Sequence, residues 1–424
     1  MEGIEERLAK VHRLIAVIKE NREEMVAIAV QDTSFTRREC DMEVDIVLTR
    51  LQGFDEMVPI FAERLPLCDP EQEVALVLPY NGSAWLNTTI VSIYMVGNRV
   101  RVKFATRGSE VAKLTESFYQ TIFGDSICFD FAKGRNFLDK AIADPKIPAI
   151  CLFGTDEYAI HYHNSIKAHG KKFVFEGPGK DPFIVLPGAD IEEAARELAF
   201  SKYIYAGQTC TAPERVYLHE SIHDDFLELF LDLSRAIKVG DPEDPATEMG
   251  PVASPRAVAA IKTQLKDAVA RGGRIALGGK IEGNLVYPTV VVDANQDMLG
   301  MQDEIFGPVI YISLFATIED VIRLAKDNRY GLRAAIYGDQ EVAQGLEREL
   351  VGEPYCHQVS EMTFGRFGTV TINQSRGESW KGAFVSKPVG GYGYSGWIWE
   401  TIDNRFVLKQ GPKLLSLETS RKPF

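Results

Sequence analysis

The chain has 424 residues, 45% hydrophobic and 25% charged, which is enough for two packed domains. Its formal net charge of -13 argues against a general nucleic-acid binder. The six cysteines, at positions 40, 68, 128, 151, 210 and 356, show no paired CxxC spacing, so neither a zinc cage nor a disulfide framework is suggested, no metal site is expected, and a reduced, cytoplasmic chain is the simpler reading.

From the N-terminus, residues 3–30 and 41–64 carry apolar side chains at three and four spacing with charges between them, which predicts two amphipathic helices covering a sheet. Within the first, the apolar run 14–18 is too short and too charged at its flanks for a signal or membrane-spanning segment. Short β-rich runs follow at 74–78, 100–104, 149–153 and 172–175, separated by helical or turn-rich sequence; that alternation predicts an open parallel sheet. A second βα series has strands at 183–186 and 215–218 and helices at 189–205, 222–237 and 254–271. The polar stretch 347–369 reads as a surface loop before a strand at 369–373, and Gly390-Gly391-Tyr392-Gly393-Tyr394-Ser395-Gly396 reads as a flexible turn series.

Cys210 is the first candidate for chemistry. It lies in Ala206-Gly207-Gln208-Thr209-Cys210-Thr211-Ala212, a run of small and polar residues through which a carbonyl can approach the sulfur while backbone N–H groups face a developing oxyanion. An inert buried thiol is the competing reading for any single cysteine. Upstream, the run 172–175 ends in Glu176-Gly177-Pro178-Gly179, which places a carboxylate at a strand's end, where α/β folds carry their chemistry. Taken alone, Glu176 reads as a turn or capping carboxylate; its pairing with the Cys210 motif reverses that reading.

Glu176 opening a glycine-rich turn, followed after a helix by Gly207-Gln208-Thr209-Cys210, resembles the aldehyde dehydrogenase superfamily. Glu304-Ile305-Phe306-Gly307-Pro308 resembles that family's cofactor-clamping motif, and Asn81 in Leu78-Pro79-Tyr80-Asn81 resembles the asparagine of its oxyanion hole. The resemblance runs from about residue 10 to residue 418. It implies an α/β fold of two domains with open twisted sheets, a Rossmann-like cofactor domain at 1–178, a catalytic domain at 179–400, and a tail at 401–424. Against the family pattern, the chain is short at its N-terminal arm and before the strand at 74–78, where other members carry a hairpin for subunit contacts. The usual oligomer is thereby left open, with a homodimer among the expectations and 413–417 as a candidate intersubunit strand.

The resemblance implies NADP or NAD as cofactor. Gly154 and Thr155 open a helix after a strand, where N–H groups and the helix dipole can receive a pyrophosphate, although Ala159 stands where the family has a second glycine. Lys103 matches the lysine that holds the adenosine ribose. Thr106 and Arg107 stand where NAD-preferring members place a glutamate, a combination that can accept a 2′-phosphate, so NADP is permitted and preferred. Glu304 and Phe306 are implied to hold the nicotinamide ribose and to pack near the nicotinamide ring.

The implied reaction takes a small-molecule aldehyde to a carboxylic acid: Cys210 attacks, Asn81 and backbone N–H groups hold the oxyanion, and Glu176 activates the water that resolves the thioester. Two alternatives stay open, a coenzyme A dependent aldehyde dehydrogenase or acyl-CoA reductase and a nucleotide-binding relative that no longer catalyses. Tyr80, Trp85, Tyr205, Phe384 and Tyr392 are expected to line the entrance if the family geometry holds, while His161 and His163 are read as solvated or capping.

Overall fold

The computed structural model describes residues 2–61, 73–81, 87–95, 97–351, 355–356, 363–364, 367–376, 399–402 and 405–408. The expected gap before the first strand, the run 390–396, the segment 413–417, and Trp85, Phe384 and Tyr392 lie outside these residues.

Four helices lead the chain: α1 (Ile4–Glu20), α2 (Arg22–Thr33), α3 (Arg37–Gln52) and α4 (Phe54–Phe61). The single helices expected at 3–30 and 41–64 are therefore each divided. Asn21 leaves helical geometry at φ -106°, ψ 15°, and its side-chain amide donates to the Val17 carbonyl at 2.8 Å, closing one helix as the next begins. The second pattern starts earlier than its apolar periodicity showed because Thr36 and Glu39 form a capping box, and Gly53 then separates α3 from α4. Val11, Leu14, Ile15 and Ile18 on α1 and Val44, Val47, Leu48 and Leu51 on α3 are buried, the three and four spacing that holds these helices in one layer.

The first sheet comprises β1 (Glu73–Leu78), β2 (Arg99–Phe104), β3 (Ile127–Phe129), β4 (Ala149–Phe153) and β5 (Lys172–Glu176), with α5 (Asn87–Met95), α6 (Ser109–Phe123), α7 (Gly134–Ala143) and α8 (Asp156–Ala168) between them. The strands are parallel throughout, in the order β3-β2-β1-β4-β5. The chain thus winds outward in both directions from β1, leaving a crevice at the carboxyl ends of β1 and β4. One face packs on the layer of α1 to α6, and the other on α7 and α8 through residues such as Phe137, Tyr162 and Ile166.

Only residues 177–180 separate β5 from β6 (Asp181–Val185), which opens the second sheet. That sheet continues through α9 (Ile191–Tyr203), β7 (Pro213–His219), α10 (His223–Ala236), α11 (Pro255–Ala270), β8 (Arg274–Leu277), the small hairpin β9 (Ile281–Glu282) and β10 (Leu285–Val286), β11 (Thr289–Val292), α12 (Leu299–Gln302), β12 (Val309–Phe315), α13 (Ile318–Lys326), β13 (Arg333–Tyr337) and α14 (Gln340–Val351). Beyond it come an antiparallel pair, β14 (Tyr355–Cys356) and β15 (Thr363–Phe364), then β16 (Thr369–Ile372), and a second antiparallel pair, β17 (Trp399–Ile402) and β18 (Arg405–Leu408). The order is β16-β13-β6-β7-β12-β11-β8, parallel except for β8 at the edge. The stretch 347–369, expected as loop, instead begins inside α14, whose buried Ala343, Leu346 and Leu350 recur at helical spacing, and it includes β14 and β15.

Candidate active site

The nucleophile candidate sits where α9 runs out. Tyr205 and Ala206 both adopt left-handed geometry, with φ of 55° and 52°, and Gly207 follows at φ 72°. Left-handed backbone at a tyrosine and an alanine costs about 1–2 kcal/mol each, so the surroundings must hold it. Two groups do so. Glu39 accepts from the Tyr205 N–H across the helical layer, and Gln208, fully buried, makes four contacts: its oxygen accepts from Tyr80 at 3.0 Å and from the Ala253 N–H at 2.6 Å, and its amide donates to the Tyr205 carbonyl at 2.9 Å and the Pro251 carbonyl at 3.4 Å. Gly207 is required twice over, because a Cβ there would also meet the Gly307 carbonyl oxygen at 2.3 Å.

The turn after Glu176 packs directly on this loop. A Cβ on Gly179 would lie 1.9 Å from the Cys210 carbonyl oxygen, so two glycine-bearing turns from different sheets touch at the cysteine. The Gly179 N–H in turn donates to Glu304 at 3.1 Å. Glu176, at the end of β5, is buried, and its carbonyl accepts from the Gly154 N–H at 3.0 Å, which ties the β4 turn to the same rim. Asn81, partly exposed, closes the turn after β1 beside Tyr80, and the Tyr80 ring meets Phe306 edge-on at 6.3 Å. The Glu176 turn, the Cys210 loop and Glu304 therefore meet through Gly179, with Gly154 bonded to the Glu176 backbone and Phe306 against Tyr80. Burial pushes the Cys210 thiol well up from its ordinary range, Glu304, Glu176 and Asp181 push it further, and Arg376 opposes them.

Phe306 carries a positive φ of 52°, and the post that holds its turn is Glu214. Both Glu214 oxygens accept from the Ile305 N–H, at 3.1 and 2.9 Å, and one accepts from the Phe306 N–H at 3.1 Å. The carboxylate pairs with Lys180 at 2.7 Å and Lys202 at 3.6 Å, all three essentially without solvent contact. Burial works against its charge, but the two lysines outweigh that and keep it below the usual carboxylate range. Glu304 goes the other way, raised by burial and by Glu214. Burial brings Lys202 down to about 8.

The remaining residues lie at the carboxyl ends of β2 and β4, on the same edge of the first sheet. Lys103 is buried, its ammonium donating to the Phe104 carbonyl, and burial lowers its pKa against the pull of Asp130. Thr106 is exposed, whereas the Arg107 guanidinium is turned inward: it donates to Ser34 at 3.4 Å and to the Ala253 carbonyl, with the Tyr80 ring 6.0 Å away. Thr155 is exposed at the N-cap of α8 and makes no side-chain capping bond. A Cβ on Gly154 would meet nothing closer than Leu152 at 3.9 Å. This open turn, the uncapped N-terminus of α8 and the Lys103 cation fit the pyrophosphate and ribose of a dinucleotide. Ala159 is buried on α8 against the sheet.

One aromatic expectation is corrected. Tyr205 does not line an entrance: it is buried, its ring 4.7 Å from Phe35 in the helical core, because the left-handed turn directs it away from Cys210. His161 is exposed on α8 with its ring edge-on to Tyr162. Cys40, Cys128, Cys151 and Cys210 are free, and among the described residues no group of three His, Cys, Asp or Glu is placed to hold a metal. No described helix is long and apolar enough to cross a membrane.

Glu39, Lys180, Asp181, Lys202, Glu214 and Arg376 were not singled out in the sequence. A Thr-x-x-Glu capping signature marks Glu39 as a helix start, but nothing local in the sequence indicates its reach to Tyr205.

The fold is thus α/β, a parallel five-stranded sheet followed by a mixed seven-stranded one, with the turn that joins them packed on the cysteine loop. The sequence profile of the aldehyde dehydrogenase family matches residues 3–405. A D-glyceraldehyde dehydrogenase (NADP(+)) of Picrophilus torridus is 26% identical over 384 residues, spanning 83% of this chain and 76% of that protein. An NADP(+) succinate-semialdehyde dehydrogenase of Deinococcus radiodurans is 27% identical over 372 residues, spanning 82% and 77%. The crystal structure of succinic semialdehyde dehydrogenase from Streptococcus pyogenes in complex with NADP+ superimposes with a TM-score of 0.82 at 25% identity, over 93% of this chain and 86% of that one. The chain belongs to the aldehyde dehydrogenase family. Its reaction is the NAD(P)-dependent oxidation of an aldehyde, with NADP or NAD as cofactor.

Proposed function

We propose that this chain oxidises an aldehyde to a carboxylic acid through covalent attachment to Cys210, with residues 1–178 binding the cofactor, 179–400 carrying the nucleophile and 401–424 forming a tail. The observation that carries this reading is the contact between the Glu176 turn and the Cys210 loop through Gly179. Backbone contact between these two loops supports pairing this carboxylate with this thiol.

In this reading the Cys210 thiolate adds to the aldehyde carbon, and Asn81 with the Cys210 N–H holds the resulting oxyanion. Asn81 suits the task because its amide donates without titrating. A nicotinamide cofactor held here would supply the hydride acceptor needed to oxidise the Cys210-bound carbon to the thioester level. Glu176 then takes a proton from water, the hydroxide oxygen bonds to the acyl carbon, the carbon–sulfur bond breaks, and the acid leaves. Glu304 and Phe306, held by Glu214, would position the nicotinamide end; Gly154 and Thr155 would receive the pyrophosphate; Lys103 would hold the adenosine ribose.

NADP is the proposed preference. Thr106 offers an exposed hydroxyl where a carboxylate would repel a 2′-phosphate, and Arg107 sets a positive charge beside it while its donors brace the turn against Ser34 and Ala253. The relatives named for D-glyceraldehyde and succinate semialdehyde act with NADP, which supports the same choice. Four free thiols support a reducing, cytoplasmic setting. A homodimer is the assembly to test, by analytical ultracentrifugation.

The deciding experiment follows nicotinamide absorbance with NAD and NADP, a panel of small acidic, aliphatic and aromatic aldehydes, and the presence or absence of coenzyme A, for the native chain and Cys210→Ala. Turnover without coenzyme A that disappears in the variant is expected. Turnover only with coenzyme A would remove Glu176 from the water-activating role, and an active Cys210→Ala would end the covalent mechanism.

A further inference from the structure

We propose that Arg376 is a positioning residue for the reaction: its buried guanidinium grips the threonine hydroxyls on both sides of Cys210 and fixes the sulfur in its attacking geometry. The proposal rests on Cys210 being the nucleophile.

Arg376 follows β16, more than a hundred residues from the loop it serves, and is 3% exposed. One terminal nitrogen donates to Thr209 Oγ1 at 2.9 Å and to Thr211 Oγ1 at 2.6 Å, and the other donates to the Ser201 carbonyl of α9 at 3.0 Å. A rigid planar fork thus spans the residue before the cysteine, the residue after it, and the helix that delivers it. Arg376 is itself anchored, because its backbone N–H donates to Glu197 on α9 at 2.8 Å, and Ser201 donates to the same carboxylate oxygen. A buried cation with this many designated acceptors is costly to place and would not be needed merely to close a loop.

The arginine also sits on the correct side of the charge balance. Glu304, Glu176 and Asp181 all disfavour the Cys210 thiolate, and Arg376 favours it. Around Arg376 itself, Asp181 and Glu197 attract its charge and Arg333 repels it; burial brings it down to about 10. Behind the loop, Asp181, Glu197, Arg333 and Arg376, all buried, line one small pocket, so these charges act on one another with little water between them. A neutral side chain at position 376 would remove this counter-charge from beside the cysteine loop.

The test is the pH profile of Cys210 alkylation by iodoacetamide, followed by peptide mapping to exclude the other cysteines, combined with steady-state kinetics. In R376M the alkylation midpoint is expected to move up and the rate at neutral pH to fall about tenfold, with kcat falling in parallel and the KM for cofactor unchanged. R376K, which restores the charge but not the fork, should return the midpoint toward the native one while kcat stays low. The double variant T209V/T211V keeps the arginine and removes its two acceptors; it should lower kcat several-fold, and it carries the test if R376M does not fold. A native midpoint and native kcat in folded R376M, or a native kcat in T209V/T211V, would overturn the proposal. Native enzyme fully alkylated at Cys210 yet still active would overturn the nucleophile assignment, and the proposal with it.

Discussion

The carboxyl edge of the first sheet and the rim of the second are built by opposite means. At the first, Gly154 has room for a Cβ, Thr155 and Thr106 are exposed, and α8 begins without a side-chain cap, so N–H groups are left for something else to satisfy. At the second, Gly179 and Gly207 abut backbone carbonyls, Tyr205, Ala206 and Phe306 hold left-handed geometry, and Glu214 with Lys180 and Lys202 is sealed from water. Binding a dinucleotide needs unspent donors at a helix end, whereas aiming a nucleophile needs a loop with one conformation. The contrast teaches that strain and buried charge gather where orientation matters, and openness where a ligand completes the structure.

The contrast is broken most severely at Glu214. Glu214→Gln leaves two buried ammonium groups facing a neutral amide and weakens the seat of Phe306; a loss of about 3–5 kcal/mol is expected in urea unfolding. A smaller effect is expected at Glu39, which burial pushes up from 4.5 to about 7 while the Thr36 and Tyr205 N–H groups pull it down. Because the folded carboxyl holds its proton more tightly than the unfolded one, its contribution is complete below pH 4.5 and lost as pH rises toward 7. The native chain should therefore lose about 3 kcal/mol relative to Glu39→Gln across that window, as measured by parallel unfolding series; equal slopes would show that Glu39 titrates normally.

Gly179→Ala drives a methyl group against the Cys210 carbonyl and should cost about 100-fold in kcat with the cofactor KM little changed, since a displacement of about 1 Å at a reacting group has that consequence. The open edge should be the forgiving one. Thr106→Glu is expected to raise the NADP KM about tenfold and leave NAD nearly untouched, with no change in unfolding midpoint. A large loss of stability there would erase the distinction between the two edges.

Much of the scaffold was legible because apolar runs of strand length bounded by turns report local structure faithfully, as at 74–78 and 149–153. The helix break at Asn21 was not, since both flanking segments keep the same apolar spacing and only the amide's own bond to Val17 interrupts them. β3 was missed because three residues present no period. At the candidate site, Cys210, Glu176 and Gly154 each stand in a local motif, which is why the sequence alone could propose them. Arg376 and Glu214 were not, because their meaning lies in partners supplied by distant strands and loops: Arg376 in Thr209 and Thr211, Glu214 in Lys180 and the Ile305 turn. Tyr205 was misjudged because an aromatic beside a nucleophile suggests a pocket, while the left-handed turn sends it into the core.

Junctions between domains are usually the places where a chain tolerates cutting, lengthening or rejoining, because few contacts cross them. The Gly177-Pro178-Gly179-Lys180 junction described above has the contrary character, with Gly179 against the cysteine loop and Lys180 committed to Glu214. The two halves are consequently not interchangeable cassettes. Under the proposed division of the chain, a first half transplanted from a relative would have to bring these four residues in register, and a new chain terminus or inserted linker there would pull the turn after Glu176 away from the cysteine loop.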